Sequence, residues 1–155
     1  MNVTCSKVYK DIPFAHRQPR HDGHCAWLHG HNWSFKFTFE SHEVDENGFI
    51  VDFGKLQFIK DILNKFDHAL VIPDYDPKLE TFRDLHQQGL CNLIVLPDAS
   101  CEGLVKYFLL EVNETLQREF EAGRLPHEVF CTQLEIWEDE KNSTSATLNL
   151  PKAIL

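Results

Sequence analysis

From Asn32 to Glu40, Trp33, Phe35, Phe37 and Phe39 alternate with Ser34, Lys36, Thr38 and Glu40. Such period-two alternation, with aromatic residues on one face, predicts a half-buried strand. An earlier strand is predicted from about Asn2 to Phe14, interrupted near its end by Pro13, which has no N–H to give a ladder. After the turn Asp45-Glu46-Asn47-Gly48, residues Phe49 to Phe53 lead into an amphipathic helix from about Gly54 to Lys65, with Leu56, Ile59, Leu63 and Phe66 on one face.

The pattern weakens from Ile72 to Pro97. Pro73 and Pro77 interrupt it, Leu79 to His86 reads as a short helix, and Asn92 to Leu96 as a brief strand or a buried connection. A second long helix follows Asp98-Ala99-Ser100, with Val105, Phe108, Leu109, Val112, Leu116 and Phe120 on one face. Asp98 or Ser100 caps it, and Gly123 and Pro126 mark its end. In the strand from His127 to Glu138, the residues Phe130, Leu134, Ile136 and Glu138 share one parity, and Ala146, Leu148 and Leu150 alternate in a final strand. The order strand-strand-helix-helix-strand-strand predicts an α+β fold, a four-stranded antiparallel sheet with two long helices on one face.

At 155 residues the chain reads as a single domain, 1–155, with 43% hydrophobic and 25% charged residues, as in a soluble globular protein. A net charge of −9 argues against nucleic-acid or anionic-membrane partners, while leaving room for a local basic pocket that takes a phosphorylated small molecule. The five cysteines are odd in number and widely spaced without a Cys-x-x-Cys pair, which fits a reducing cytoplasm. No apolar run approaches a membrane span, and the first residues lead into no secretory h-region.

The chemistry concentrates in Cys25-Ala26-Trp27-Leu28-His29-Gly30-His31. If this stretch is extended, His29 and His31 point the same way and can both reach one metal ion. A catalytic zinc site takes three protein ligands and keeps a fourth position open, and His16, after the apolar run Ile12-Pro13-Phe14-Ala15, is the candidate third. A lone His-x-His is also common in solvated strands, and His21 and His24 in the polar loop 17–24 compete as ligands without any periodicity that ties them to the pair. Asp67-His68, at the end of the first helix, can position an imidazole for proton transfer, although adjacent side chains do not normally face each other. Glu138, with the parity of the apolar side of its strand, is either a desolvation problem or a hook for a ligand.

Taken together, Ala15-His16, Cys25-x-x-x-His29-Gly30-His31, Gly48-x-x-x-Asp52-Phe53, Asp67-His68, Glu102 and Glu138, in this order along nearly the whole chain, resemble the 6-pyruvoyltetrahydropterin synthase family, including the bacterial 6-carboxytetrahydropterin synthases. The resemblance implies a tunnelling fold, in which subunits join their sheets into a barrel, here a homohexamer built as a dimer of trimers. It implies that His16, His29 and His31 bind Zn2+, that Cys25 exchanges protons with help from Asp67 and His68, and that Glu138 anchors a pterin. The stretch Ser100, Cys101 and Glu102 would add substrate contacts, although Ala99-Ser100-Cys101-Glu102 stands where the family has a Pro-Thr-x-Glu turn. Asp139 likewise stands where a threonine is usual. The substrate implied is 7,8-dihydroneopterin triphosphate, with 6-carboxytetrahydropterin, a precursor of queuosine-type deazapurines, as the product and the 6-pyruvoyl compound as the alternative.

Two further expectations come from the residues themselves. The aromatic strand looks too rich for a solvated face, which also points to a homo-oligomer. A non-catalytic, cupin-like metal-binding module is the remaining alternative, disfavoured because Asn32-Trp33-Ser34-Phe35-Lys36 supplies no glutamate after His-x-His.

Overall fold

The computed structural model describes residues 1–154. One sheet holds six strands in the order β4-β3-β1-β2-β5-β6. The strands are β1 (Cys5–His16), β2 (His29–Glu40), β3 (Ala69–Pro73), β4 (Asn92–Leu96), β5 (Phe130–Trp137) and β6 (Ser143–Thr147). Three α-helices, α1 (Gln57–Asn64), α2 (Leu79–Gln87) and α3 (Cys101–Glu121), lie between them in sequence.

The antiparallel part, β1-β2-β5-β6, is the predicted four-stranded sheet. The prediction of four strands is corrected by β3 and β4, which extend the sheet as strands parallel to β1. All five residues of β3 are buried, so its sequence shows no alternation to read. Ala69 and Val71 join the main core, while Leu70 and Ile72 form a second cluster with Phe82 of α2. Thus α1 and α3 share one face, as expected of the two longer predicted helices, and the short α2 covers the opposite face. The first helix is also short: a 3-10 turn over Phe53–Lys55 precedes the eight residues of α1.

Trp33, Phe35, Phe37 and Phe39 are wholly buried under α1 and α3. Burying each such side chain contributes about 1.5–3 kcal/mol, so this face is the centre of the core. Its aromatic content is therefore satisfied within one chain and no longer argues for an oligomer. Apolar exposure lies elsewhere, at Trp27 (73%) and Leu28 (49%) beside the histidine pair.

Two bulges set which side chains face the helices. In β1, Tyr9 lies opposite Phe35 and Ile12 opposite Trp33, so Lys10 and Asp11 together oppose Ser34. The extra residue keeps Tyr9, Ile12, Phe14 and His16 on the helix side, with Asp11 at φ +60°. Pro13 does not end the strand, which runs on to His16. In β5, Gln133 opposes Thr38 and Cys131 opposes Phe39, leaving Thr132 over. At this end Cys131 and Thr132 are buried and Phe130 is only half-buried, a correction to the single parity expected from Phe130 to Glu138.

Candidate metal centre and adjoining cleft

His16 ends β1 and His29 begins β2, and the two are paired directly across the ladder. His31 stands two residues further along β2, opposite Phe14. The antiparallel register thus gathers three imidazoles on the helix-facing side at one end of the sheet, with ring centroids 4.6 to 5.2 Å apart. Trp33 lies edge-on beneath His16 and His31, at 5.0 and 5.1 Å, and stacks on Phe14 at 4.5 Å. Its indole N–H donates to the Phe14 carbonyl at 3.1 Å, which fixes this floor.

Two of the rings are held in a defined tautomer. The His16 Nδ1–H donates to the Ala99 carbonyl, and the His29 Nδ1–H to the Trp27 carbonyl, each at 2.7 Å. A carbonyl only accepts, so in the neutral ring each bond leaves the lone pair on Nε2. This is how metal-binding histidines are usually oriented, through a hydrogen bond made by the other nitrogen. Burial, with some help from His29 and His31, pulls the His16 imidazole down to about 4 despite the Ala99 bond, so it is neutral near pH 7. Burial also lowers His31, opposed by the Glu138 carboxylate.

Among the described residues, His16 Nε2 is a buried nitrogen without any hydrogen-bond partner. Leaving such a group unpaired costs about 1–3 kcal/mol. One ligand atom from each of His16, His29 and His31 lies within 4.8 Å of the others, so the set fits one metal ion. Cys25 is not part of this group.

The Ala99 carbonyl owes its place to the start of α3. Ser100 accepts from the Gly103 N–H at 3.0 Å and is the cap, while the Asp98 carboxylate accepts from the Ser100 N–H at 2.8 Å. A Cβ on Gly103 would sit 2.5 Å from Asp98 side-chain atoms and 2.8 Å from its carbonyl oxygen, so only glycine admits this close turn. The sequence reading found the cap but neither Gly103 nor Ala99. The pair Ser-x-x-Gly beside an aspartate was its visible trace.

Ser100 and Cys101, expected to touch substrate, have their side chains in use. The Ser100 hydroxyl caps the helix, and the Cys101 thiol is buried against the Ile136 carbonyl at 3.8 Å. Burial pushes that thiol up to about 11, with the Glu138 and Glu102 charges adding to the rise, so it stays protonated. Glu102 is exposed on the first turn of α3.

Glu138 follows β5 immediately and lines a cleft of about 830 Å³ with His31, Asn32, Ser34, Asp11 and Asp139. Asp139 is tied up in the turn: its carboxylate accepts from the Lys141 and Asn142 N–H groups, each at 2.8 Å, which lowers its pKa. Glu138 has no such side-chain partner among the described hydrogen bonds and is half-buried. A free carboxylate that close to His31 is suited to accept from a ligand's N–H groups.

Cys25 lies in the 3-10 turn His24–Ala26, half-buried, two residues before the carbonyl that holds His29. Asp67 and His68 do face each other, contrary to expectation, through a short bond between His68 Nδ1 and the Asp67 carboxylate. His68 has φ +61°, and this left-handed backbone folds the neighbours together. The His68 side chain is 85% exposed, and the pair lines neither the cleft nor the histidine group. His21 and His24 also lie outside the metal group.

The family model for 6-pyruvoyl tetrahydropterin synthase matches residues 5–149. A 6-carboxy-5,6,7,8-tetrahydropterin synthase of Rickettsia bellii is 35% identical over 128 residues, covering 79% of this chain and 85% of that protein. A probable synthase of the same name from Halobacterium salinarum is 33% identical over 73 residues, and there the match spans 46% of the relative's length and 47% of this chain. Among solved structures, an uncharacterized protein from Wolinella succinogenes superposes with a TM-score of 0.78 at 18% identity, over 96% of this chain and 99% of that one. A Plasmodium vivax 6-pyruvoyltetrahydropterin synthase gives 0.66 at 17% identity, over 96% and 100%. These similarities carry the fold, which leaves no place for the cupin alternative.

Proposed function

Because the chain belongs to the 6-pyruvoyl tetrahydropterin synthase family, we propose that it is a zinc-dependent lyase that converts 7,8-dihydroneopterin triphosphate to 6-carboxy-5,6,7,8-tetrahydropterin. The observation that carries the metal part is the buried, unpartnered His16 Nε2 facing two more imidazoles. The product is chosen from the Rickettsia and Halobacterium relatives, whose names specify it.

His16, His29 and His31 would hold the zinc, keeping its charge uncompensated because all three donors are neutral. Zinc there supplies Lewis-acid stabilisation of negative charge on substrate oxygens. Glu138 accepts from the amino and ring N–H groups of the pterin and fixes which edge enters the cleft. Cys25 would take and return the side-chain proton as its thiolate. Asp67 orients the His68 ring through its bond to Nδ1, so the pair can pass a proton onward.

His68 faces solvent in one chain, so the working site takes this pair from a neighbouring copy, in a homohexamer of two trimers. Trp27 and Leu28, exposed beside the site, suit that contact. Among the described residues no helix is long and apolar enough to cross a membrane. The proposed location is the cytoplasm.

The test is product identification. Zinc-loaded protein incubated with 7,8-dihydroneopterin triphosphate should yield 6-carboxytetrahydropterin by mass spectrometry. A 6-pyruvoyl product would move the chain to the other branch of the family, and an untouched substrate would reject the reading.

A further inference from the structure

We infer that Arg17 and Asp76 form a positioning pair that clamps the Cys25 turn, with the Asp76 carboxylate supplied by the connection between β3 and α2. The catalytic consequence rests on the proton-transfer role proposed for Cys25. The clamp itself does not.

Arg17 follows His16 directly. Its Nε donates to Asp76 Oδ2 at 2.6 Å and its Nη2 to Asp76 Oδ1 at 2.9 Å, a two-pronged contact across 59 residues of sequence. The third nitrogen, Nη1, donates to the Ala26 carbonyl at 3.1 Å, the residue after Cys25. The neighbouring Gln18 N–H donates to the carbonyl of Cys25 itself at 2.8 Å. The turn is therefore gripped at two successive carbonyls, both from the strand end that carries His16. Any movement of Arg17 is passed to the thiol.

Asp76 is fixed from the other side. Its side chain is wholly buried, its N–H donates to the Pro73 carbonyl at 3.0 Å, and Oδ1 also accepts from the Lys78 N–H at 2.8 Å. Phe82 of α2 lies under the guanidinium at 5.7 Å. The segment that shows no hydrophobic period thus delivers one carboxylate to the loop with little freedom.

A buried ion pair is a poor source of net stability, because desolvation of both charges offsets their attraction. Its use here is geometric. Arginine presents its donors in one rigid plane, and lysine cannot satisfy both oxygens of Asp76 and the Ala26 carbonyl together. Displacement by about 1 Å of a reacting group costs roughly 10²-fold in rate.

The experiment uses the full, zinc-loaded chain with Asp76→Asn, and Ile72→Val as control. Ile72 is buried in the same cluster as Phe82, with no contact to Arg17 among those described, so it loosens the unit without cutting the clamp. For Asp76→Asn, kcat should fall about 10- to 100-fold with KM nearly unchanged and zinc retained. Alkylation of Cys25, followed residue by residue by mass spectrometry, should accelerate several-fold as the turn loosens. Ile72→Val, compared at matched loss of thermal stability, should keep both values. If Asp76→Asn does not fold, Arg17→Lys takes its place with the same expectations.

Parent-like kcat and parent-like alkylation in the clamp variant would overturn the proposal, as would an equal loss in Ile72→Val. Should Cys25→Ala retain turnover, the role of Cys25 fails separately. The alkylation rate then decides the clamp alone: acceleration supports it and an unchanged rate overturns it.

Discussion

His16 is 2% exposed and is held by a carbonyl 83 residues away in sequence, whereas the His68 side chain is 85% exposed and is held by the residue next to it. The first imidazole gets its place from tertiary structure: the β1–β2 register, the Trp33 floor and the start of α3. The second gets it from one left-handed backbone angle. The three-imidazole set, with two of its tautomers fixed by carbonyls, is finished inside one chain. An Asp-His pair at the surface, proposed to handle protons, is finished only when something else covers it, and in the proposed oligomer that is a second copy.

The sharpest way to separate the two regions is to remove Cys25, which is proposed to work beside a metal but outside the three-histidine group. Cys25→Ala should lower turnover about 10²- to 10⁴-fold, the scale for losing a positioned acid or base, with zinc content unchanged. His68→Ala should behave in the same way. Assembling the two variants together should then restore part of the activity, because mixed sites receive one intact group from each chain. Activity that stays absent in the mixture, with oligomers formed, would place the pair and the thiol in the same copy.

A smaller effect is expected from protons at the buried end. In metal-free protein His16 titrates near about 4, below its ordinary 6.5, so between those values the unfolded chain binds a proton that the fold refuses. Stability is then full above the ordinary value and falls as pH drops toward the folded one, by about 3 kcal/mol for a shift of this size. Denaturant midpoints in this range should drop for the parent and much less for His16→Gln. Parallel slopes would mean that His16 is not the group responsible.

Glu138→Gln tests the cleft beside His31. The amide keeps the size but loses the charge and presents a donor to the pterin, at a cost of about 1.5–3 kcal/mol in substrate affinity, with zinc unaffected. Calorimetry showing unchanged affinity would reject Glu138 as the anchor.

How far these regions were legible in the sequence follows the same division. His29 and His31 could be read as a pair because alternation along one strand is local information. His16 was readable only as a candidate, since Pro13 looked like the end of β1 and the bulge at Lys10 and Asp11, which sets the parity of His16, has no clear signature. The antiparallel strands were visible because one face is aromatic and the other polar. By contrast β3 is buried on both faces, so it lacks a period and went unread, while β4 was legible only as a brief strand or a buried connection. Asp67-His68 was visible as a pair, but its side chains meet only because of a backbone angle that sequence does not announce. Asp139, a departure from the family's usual threonine, lines the cleft and uses its carboxylate in the turn before β6, where the sequence already puts a turn. Arg17 and Asp76, 59 residues apart, left no trace in any pattern.

The central claim is that three imidazoles hold the metal while Cys25 stands beside it. X-ray absorption at the zinc edge of the loaded protein tests this directly. The account predicts three imidazole nitrogens at about 2.0–2.1 Å, light-atom donors in any remaining position, and no sulfur shell near 2.3 Å. A sulfur scatterer at that distance, lost in Cys25→Ala, would make the thiol a ligand and contradict the account, as would fewer than three imidazoles.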